Sequence, residues 1–323
     1  MPKEKIAIES EKDRIGPAEV YVTLRDLIAL QFEARGFSFL PKYAVQSILS
    51  GRHSSKLRGR GLDFDQVRKY ISGDDIRNID WKVTARMGVT HTKEFTEEKE
   101  RPVFFVVDQS SSMFFGSKKY FKSVIAAHLA AVGCWRTLDV GDRAGGIVFN
   151  DSRIDFISPK RDRKTIQRYF TLIKTQNQEL KAVKVDAFDE IPLNKVLKQV
   201  NELISHDYLV VLISDLNMAD QNTLKNLIRI RKNNDIIVAH ITDPGEMELI
   251  SDNLTISDGE FQTQVGQGRK LRKEFKDTKE KTHERIKSDL KKYSIPYFRI
   301  DTLSEPAKQL RSLLSVKNKR PKK

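Results

Sequence analysis

Two unbroken apolar runs constrain this chain more than any other feature: Val103-Phe104-Phe105-Val106-Val107 and Tyr208 to Ile213. Runs this short with no polar alternation suit strands buried on both faces. Ile236 to Ile241 reads as a third strand, with Ala144 to Phe149, Arg153 to Ile157 and Tyr297 to Ile300 as others. Apolar residues at helical spacing separate them: about Lys118 to Leu138 (Phe121, Val124, Ile125, Leu129, Val132), Arg163 to Lys174, Pro192 to Ile204 and Gln221 to Asn233. Helical patterning also covers Arg269 to Tyr293 and Glu305 to Leu314. Buried strands alternating with amphipathic helices predict an α/β fold with a doubly wound, mostly parallel, Rossmann-type sheet. Ligands of such sheets gather at the carboxyl ends of the strands, beside the switch in strand order.

Ahead of this pattern lies an N-terminal extension. Thr23 and Asp26 form a capping box for a helix through Leu24, Leu27, Ile28 and Phe32 to Gly36. Thr90 to Thr96 alternates like an exposed strand. The expected division is residues 1–100, a core domain over 101–316, and a basic tail over 317–323. The net charge of +14 allows nucleic acid, an anionic membrane surface or an acidic protein as partner. The basic residues are dispersed, however, with denser places only at Arg52 to Arg68 and in the tail. No apolar run approaches the ~18–20 residues that span a bilayer, and the charged stretch Met1 to Arg14 is unlike a signal peptide. Cys134, the single cysteine, lies on an apolar helix face and reads as a packed thiol. A cytoplasmic location is expected.

Two of the strands end in usable chemistry. Val103 to Val107 leads into Asp108-Gln109-Ser110-Ser111-Ser112, and the strand to Ile213 leads into Ser214-Asp215. Asp108, Ser110 and Ser112 on one loop, with Asp215 from a neighbouring strand, make a hard-oxygen set for Mg²⁺ or Mn²⁺. Neutral hydroxyl ligands leave the cation much of its charge, so an open position would draw an acidic side chain from a partner. The competing reading makes Asp108 and Ser110 N-caps of the next helix and Asp215 a strand terminator.

The residues before and within this loop resemble a known family. Gly51-Arg52-His53-Ser54-Ser55, Arg58-Gly59-Arg60-Gly61, Asp63-Phe64, Arg68-Lys69-Tyr70, Gly73-Asp74-Asp75-Ile76-Arg77, Ile79-Asp80-Trp81-Lys82, Thr84-Ala85-Arg86, Lys93-Glu94-Phe95 and Asp108 to Met113 together are similar to domain of unknown function fifty-eight. The match continues more loosely through Gly141-Asp142-Arg143, Ser214-Asp215 and Asp243-Pro244. The resemblance implies a von Willebrand factor A-like fold with a candidate metal-ion-dependent adhesion site. It also implies partnership with MoxR-type AAA+ ATPases of bacteria and archaea, in chaperone-like maturation or assembly of other proteins. A full adhesion site takes a Thr from a third loop. Ile191, which cannot coordinate a cation, stands in its place here, leaving either Asp189 or Glu190 as a substitute or a degenerate site that binds no metal.

Arg77, Trp81 and Arg86, with Arg58 and Arg60 between glycines, are residue types that anchor protein interfaces. Asp80 and Trp81 also have a structural reading, in which Arg–carboxylate pairs pin the segment against the main sheet and the indole fills a gap. The chain has no G-x-x-x-x-G-K-[ST] loop, no G-x-S-x-G elbow and no H-E-x-x-H pair, and its histidines lack ligand spacing. The expectation is therefore a protein-binding adaptor and not an enzyme, with a nucleic-acid-binding protein as the alternative.

Overall fold

Phe104 and Val106 bury toward one side of their strand while Phe105 and Val107 bury toward the other. This explains why the run is apolar without a break. In the computed structural model the described residues are 17–34, 62–97, 101–181, 192–217, 219–248, 255–257, 262–264 and 284–314. Arg58, Arg60, Ile191 and residues 317–323 lie outside them.

The run becomes β3 (Val103–Asp108), one of six strands in the order β10-β7-β6-β3-β4-β5. The others are β4 (Ala144–Phe149), β5 (Ile154–Lys160), β6 (Leu209–Ser214), β7 (Asp235–Thr242) and β10 (Tyr297–Asp301), while β8 (Thr255–Ser257) and β9 (Gln262–Gln264) form a separate antiparallel pair. All neighbours pair in parallel except β5, which runs antiparallel along the edge of β4. The expected doubly wound, mostly parallel sheet is thus what the chain forms. From β3 the chain steps to β4 on one side and later returns to β6 on the other. The switch in order therefore falls between β3 and β6.

Helices cover both faces. One face packs against α1 (Leu24–Ala29), α3 (Lys122–Asp139) and α4 (Arg163–Glu179), through side chains such as Leu27, Ile125, Leu129, Ile166 and Phe170. Cys134 is buried in this layer, as expected of a packed thiol, and burial pushes its pKa well up. The other face packs against α5 (Pro192–Leu203) and α6 (Gln221–Arg231), through Leu197, Val200, Leu227 and Ile230. Thr23 and Asp26 cap α1 reciprocally as predicted. Of the long helical pattern at Arg269 to Tyr293, residues 284–292 are helical and 265–283 lie outside the described residues.

The chain divides into two compact units, residues 1–44 with 101–323 and residues 45–100. The α1 helix therefore belongs with the larger unit and not with the segment up to residue 100, because Leu27 and Leu30 bury in the sheet's own core. Within the smaller unit, β1 (Leu62–Lys69) pairs antiparallel with β2 (His91–Glu97). The predicted strand at Thr90 to Thr96 is β2, but His91 and Thr92 are buried. Its partner β1 is not foreshadowed in the sequence. Between the two strands lies α2 (Trp81–Met87), which starts at an Asp80 N-cap and ends at Gly88 in the left-handed region (φ 68°). Among the described residues no helix is long and apolar enough to cross a membrane.

Candidate functional site

Asp108 closes β3 and Ser214 closes β6, the two strands that flank the switch. The Asp108 carboxylate is 4% exposed. Its Oδ1 accepts the Ser110 N–H at 2.9 Å and the Ser110 hydroxyl at 2.6 Å. Its Oδ2 accepts the Ser214 hydroxyl at 2.6 Å. Ser110 Oγ and Ser112 Oγ are 3.2 Å apart, and Ser112 in turn donates to Asp215. The predicted set of Asp108, Ser110, Ser112 and Asp215 is therefore brought together.

The N-cap reading of Asp108 and Ser110 does not describe this loop. Ser110 begins only a 3-10 turn, Ser111–Met113, without a side-chain cap bond. The next helix starts at Lys122, well beyond the predicted Lys118. Burial raises Asp108 from its ordinary 3.8 to about 7, with the charge of Asp215 adding to the effect. Its bonds from Ser110 and Ser214 oppose the rise without cancelling it.

Asp215 is held differently. Burial pushes its carboxyl up, but Lys122, joined by the Asn217 N–H and the Ser112 hydroxyl, more than offsets this and keeps it below the ordinary value. The Lys122 ammonium, fully buried, donates to Asp215 Oδ2 at 2.7 Å and also to Glu246. Burial alone would lower the lysine, yet the two carboxylates hold it above its ordinary pKa. Asn217 contributes its backbone N–H at 3.0 Å and its side-chain amide at 2.9 Å to the Asp215 oxygens.

Between them, Leu216 takes a left-handed φ of 55°, a strained conformation for a branched residue placed beside the site. The His240 ring lies between the Asp215 carbonyl, 2.9 Å from Nε2, and the Tyr297 hydroxyl, 2.6 Å from Nδ1. A carbonyl only accepts, so Nε2 carries the proton and Nδ1 accepts from tyrosine.

Sequence reasoning missed Lys122 and Glu246. A lysine on the inward face of an otherwise apolar helix was the available signal for the first. Glu246 carried none, because it meets Lys122 across 124 positions of chain. Glu246 sits on α7 (Gly245–Glu248), and Asp243 pins the start of that helix. Asp243 accepts the Gly245 N–H at 2.7 Å, the Ser117 N–H at 3.0 Å and the Thr302 hydroxyl.

The predicted partner-binding residues fall in the smaller unit. Trp81, the first residue of α2, is 67% exposed, so the indole does not fill a gap. Arg77 and Arg86 are exposed as well. Asp80 does take the structural role, accepting the N–H groups of Lys82 and Val83 at 3.1 and 3.0 Å. An Arg–carboxylate pair within the smaller unit joins Arg68 to Asp74, with two bonds of 2.7 and 2.9 Å.

A family model described as "Protein of unknown function DUF58" matches residues 66–285. The uncharacterized protein Rv1480 of Mycobacterium tuberculosis is 26% identical over 208 residues, which are 64% of this chain and 63% of that protein. The uncharacterized protein Mb1516 of Mycobacterium bovis matches to the same extent. The chain thus spans less than two thirds of the length of these curated relatives. Among solved structures, the conserved hypothetical protein BatB from Bacteroides thetaiotaomicron aligns with 66% of this chain and 95% of its own, at 14% identity and a TM-score of 0.38. A von Willebrand factor type A structure from Catenulispora acidiphila aligns with 47% of this chain and 35% of its own, at 15% identity and a TM-score of 0.30. Likenesses this slight carry no argument, and the fold rests on the strand order itself.

Proposed function

The chain belongs to the DUF58 family, and on that footing we propose that it is a protein-binding adaptor rather than an enzyme. The observation that carries this reading is the exposure of Trp81. The same short stretch also exposes Ile71 (63%), Ile76 (67%) and Met87 (59%), with Arg77 and Arg86 among them. Exposed apolar side chains in one short segment are the raw material of an interaction site. Tryptophan and arginine are the residues that contribute most to protein interfaces. Guanidinium groups beside an apolar surface suit a partner with a matching acidic rim. From the family resemblance, that partner is a MoxR-type AAA+ ATPase, engaged in maturation or assembly of other proteins.

The strand-end site supplies a second grip. Asp108 is a buried carboxylate whose bonding partners are neutral hydroxyl and amide groups, and it sits beside a second carboxylate. Such a charge calls for a cation, and the Ser110 and Ser112 hydroxyls are hard donors next to it. Among the described residues no cluster of three or more His, Cys, Asp or Glu side chains forms a ready cage. A Mg²⁺ or Mn²⁺ ion would therefore rest on Asp108, Ser110 and Ser112, with Asp215 alongside. Bound there, it would offer an open coordination position to an acidic side chain of the partner.

The test is a native pull-down in Mg²⁺ and in EDTA, using wild type, Asp108→Asn and the triple variant W81A/R77A/R86A. The reading expects an ATPase with the wild type and its loss with the triple variant. Unchanged recovery with the triple variant would sink the Trp81 surface. Recovery that ignores both EDTA and Asp108→Asn would sink the metal-dependent grip. Capture of nucleic acid alone, released steeply by salt, would favour the alternative function.

A further inference from the structure

We propose that Lys122 is a built-in competitor for the divalent cation at the strand-end site, and that its division between Asp215 and Glu246 sets how tightly that cation is held. The inference rests on reading Asp108, Ser110, Ser112 and Asp215 as a hard-oxygen set. It is independent of any partner protein.

Lys122 is the first residue of α3, and its side chain is 1% exposed. Its ammonium lies 2.7 Å from Asp215 Oδ2 and is paired with Glu246 as well. The ammonium contacts two carboxylates, Asp215 and Glu246, while Asp108 is bonded by hydroxyl and amide groups, so two negative charges are left over when all three are ionised. That surplus is the charge of one divalent ion. To use Asp215, however, the ion must take it from an ammonium already in contact with it. Two positive charges a few ångströms apart repel far more strongly in a buried site than in water.

Glu246 gives the ammonium a second seat. It stands on α7, whose start is fixed by the bonds to Asp243, so it stays in place if Lys122 leaves Asp215. An incoming cation would engage Asp215 as Lys122 moves wholly onto Glu246. Lys122 and Glu246 therefore act on cation affinity in opposite directions, although they form one ion pair.

This opposition is what the experiment reads. Full-length protein without partner is titrated with Mn²⁺, and the free ion is followed by electron paramagnetic resonance. Lys122→Met frees Asp215 and removes the repulsion, so Mn²⁺ binds more tightly than to wild type, by about tenfold or more. Glu246→Gln leaves the ammonium on Asp215 alone and removes one negative charge, so binding weakens by a similar factor. Asp108→Asn abolishes it. Melting with and without Mg²⁺ accompanies each titration, and Lys122→Met gains the most from the ion.

A purely structural triad would move both variants in the same direction, since each breaks the same buried pair, and that outcome overturns the proposal. Wild-type binding matched by Lys122→Met also overturns it, while leaving the cation site standing. If neither protein binds Mn²⁺, the cation site falls too. Should Lys122→Met not fold, Glu246→Gln decides alone, and unchanged or tighter binding there overturns the proposal.

Discussion

Asp108 is where the strand-end site costs the fold most. Its carboxyl is raised from 3.8 to about 7, so between those values the folded chain holds a proton that the unfolded chain has lost. Stability must then fall as pH rises through that window, with the full cost present above it. Asp215 acts in the opposite sense and lower down, because Lys122 depresses its carboxyl despite burial. Its contribution is complete above the ordinary carboxylate value and is lost only as pH drops beneath it. In chelator, urea unfolding of wild type should lose on the order of 3–4 kcal/mol between pH 4 and pH 8, and Asp108→Asn should lack this slope. Matching profiles for the two proteins would remove the argument. At this scale the sequence revealed residues whose neighbours are local: Asp108, Ser110 and Ser112 share one loop. It hid Lys122, because a charge on a helix face is ordinarily solvated and its partners lie 93 and 124 positions away.

The strands and helices of the larger unit were legible in proportion to their burial. β3, β4 and β6 are buried at every position, and the sequence writes them as apolar runs. β1 (Leu-Asp-Phe-Asp-Gln-Val-Arg-Lys) alternates only over its first four residues, and a register shift between Phe64 and Gln66 in its pairing with β2 breaks the period. Two contacts between elements give sharp tests. Gly146 in β4 has φ 151°, and a Cβ there would lie 1.9 Å from the Phe105 carbonyl oxygen of β3. Gly146→Ala should therefore cost more than about 3 kcal/mol or abolish cooperative melting. Gly88→Ala, with φ 68° and nothing within 4 Å, should cost only about 1–2 kcal/mol.

Asn177, on α4, links three places at once. It accepts the Val22 N–H at 2.8 Å and donates to Gln109 at 3.0 Å, while Gln109 donates to the Ser123 carbonyl at 3.0 Å. Asn177→Leu leaves buried polar groups without partners and should lower stability by roughly 2–4 kcal/mol in the same unfolding assay. A loss below about 1 kcal/mol would mean that this network is dispensable.

For the molecule as a whole, the sequence announced the sheet through its alternation of buried strands and amphipathic helices, but the strand order that puts the switch between β3 and β6 is visible only in the structure. The sequence named Arg77, Trp81 and Arg86 as interface residues by their type, but left Trp81 an alternative place filling a gap, since exposure depends on what fails to pack. The expected behaviour of W81A/R77A/R86A belongs here: an unchanged melting midpoint by circular dichroism, with partner recovery lost. A lowered midpoint would mean that these residues serve the fold instead. The division of the chain has a further result. Residues 45–100 interrupt a larger unit that begins before them and resumes after them, so the smaller unit is tethered at both ends. A single break in either connection therefore leaves the smaller unit attached through the other, and only two breaks release it.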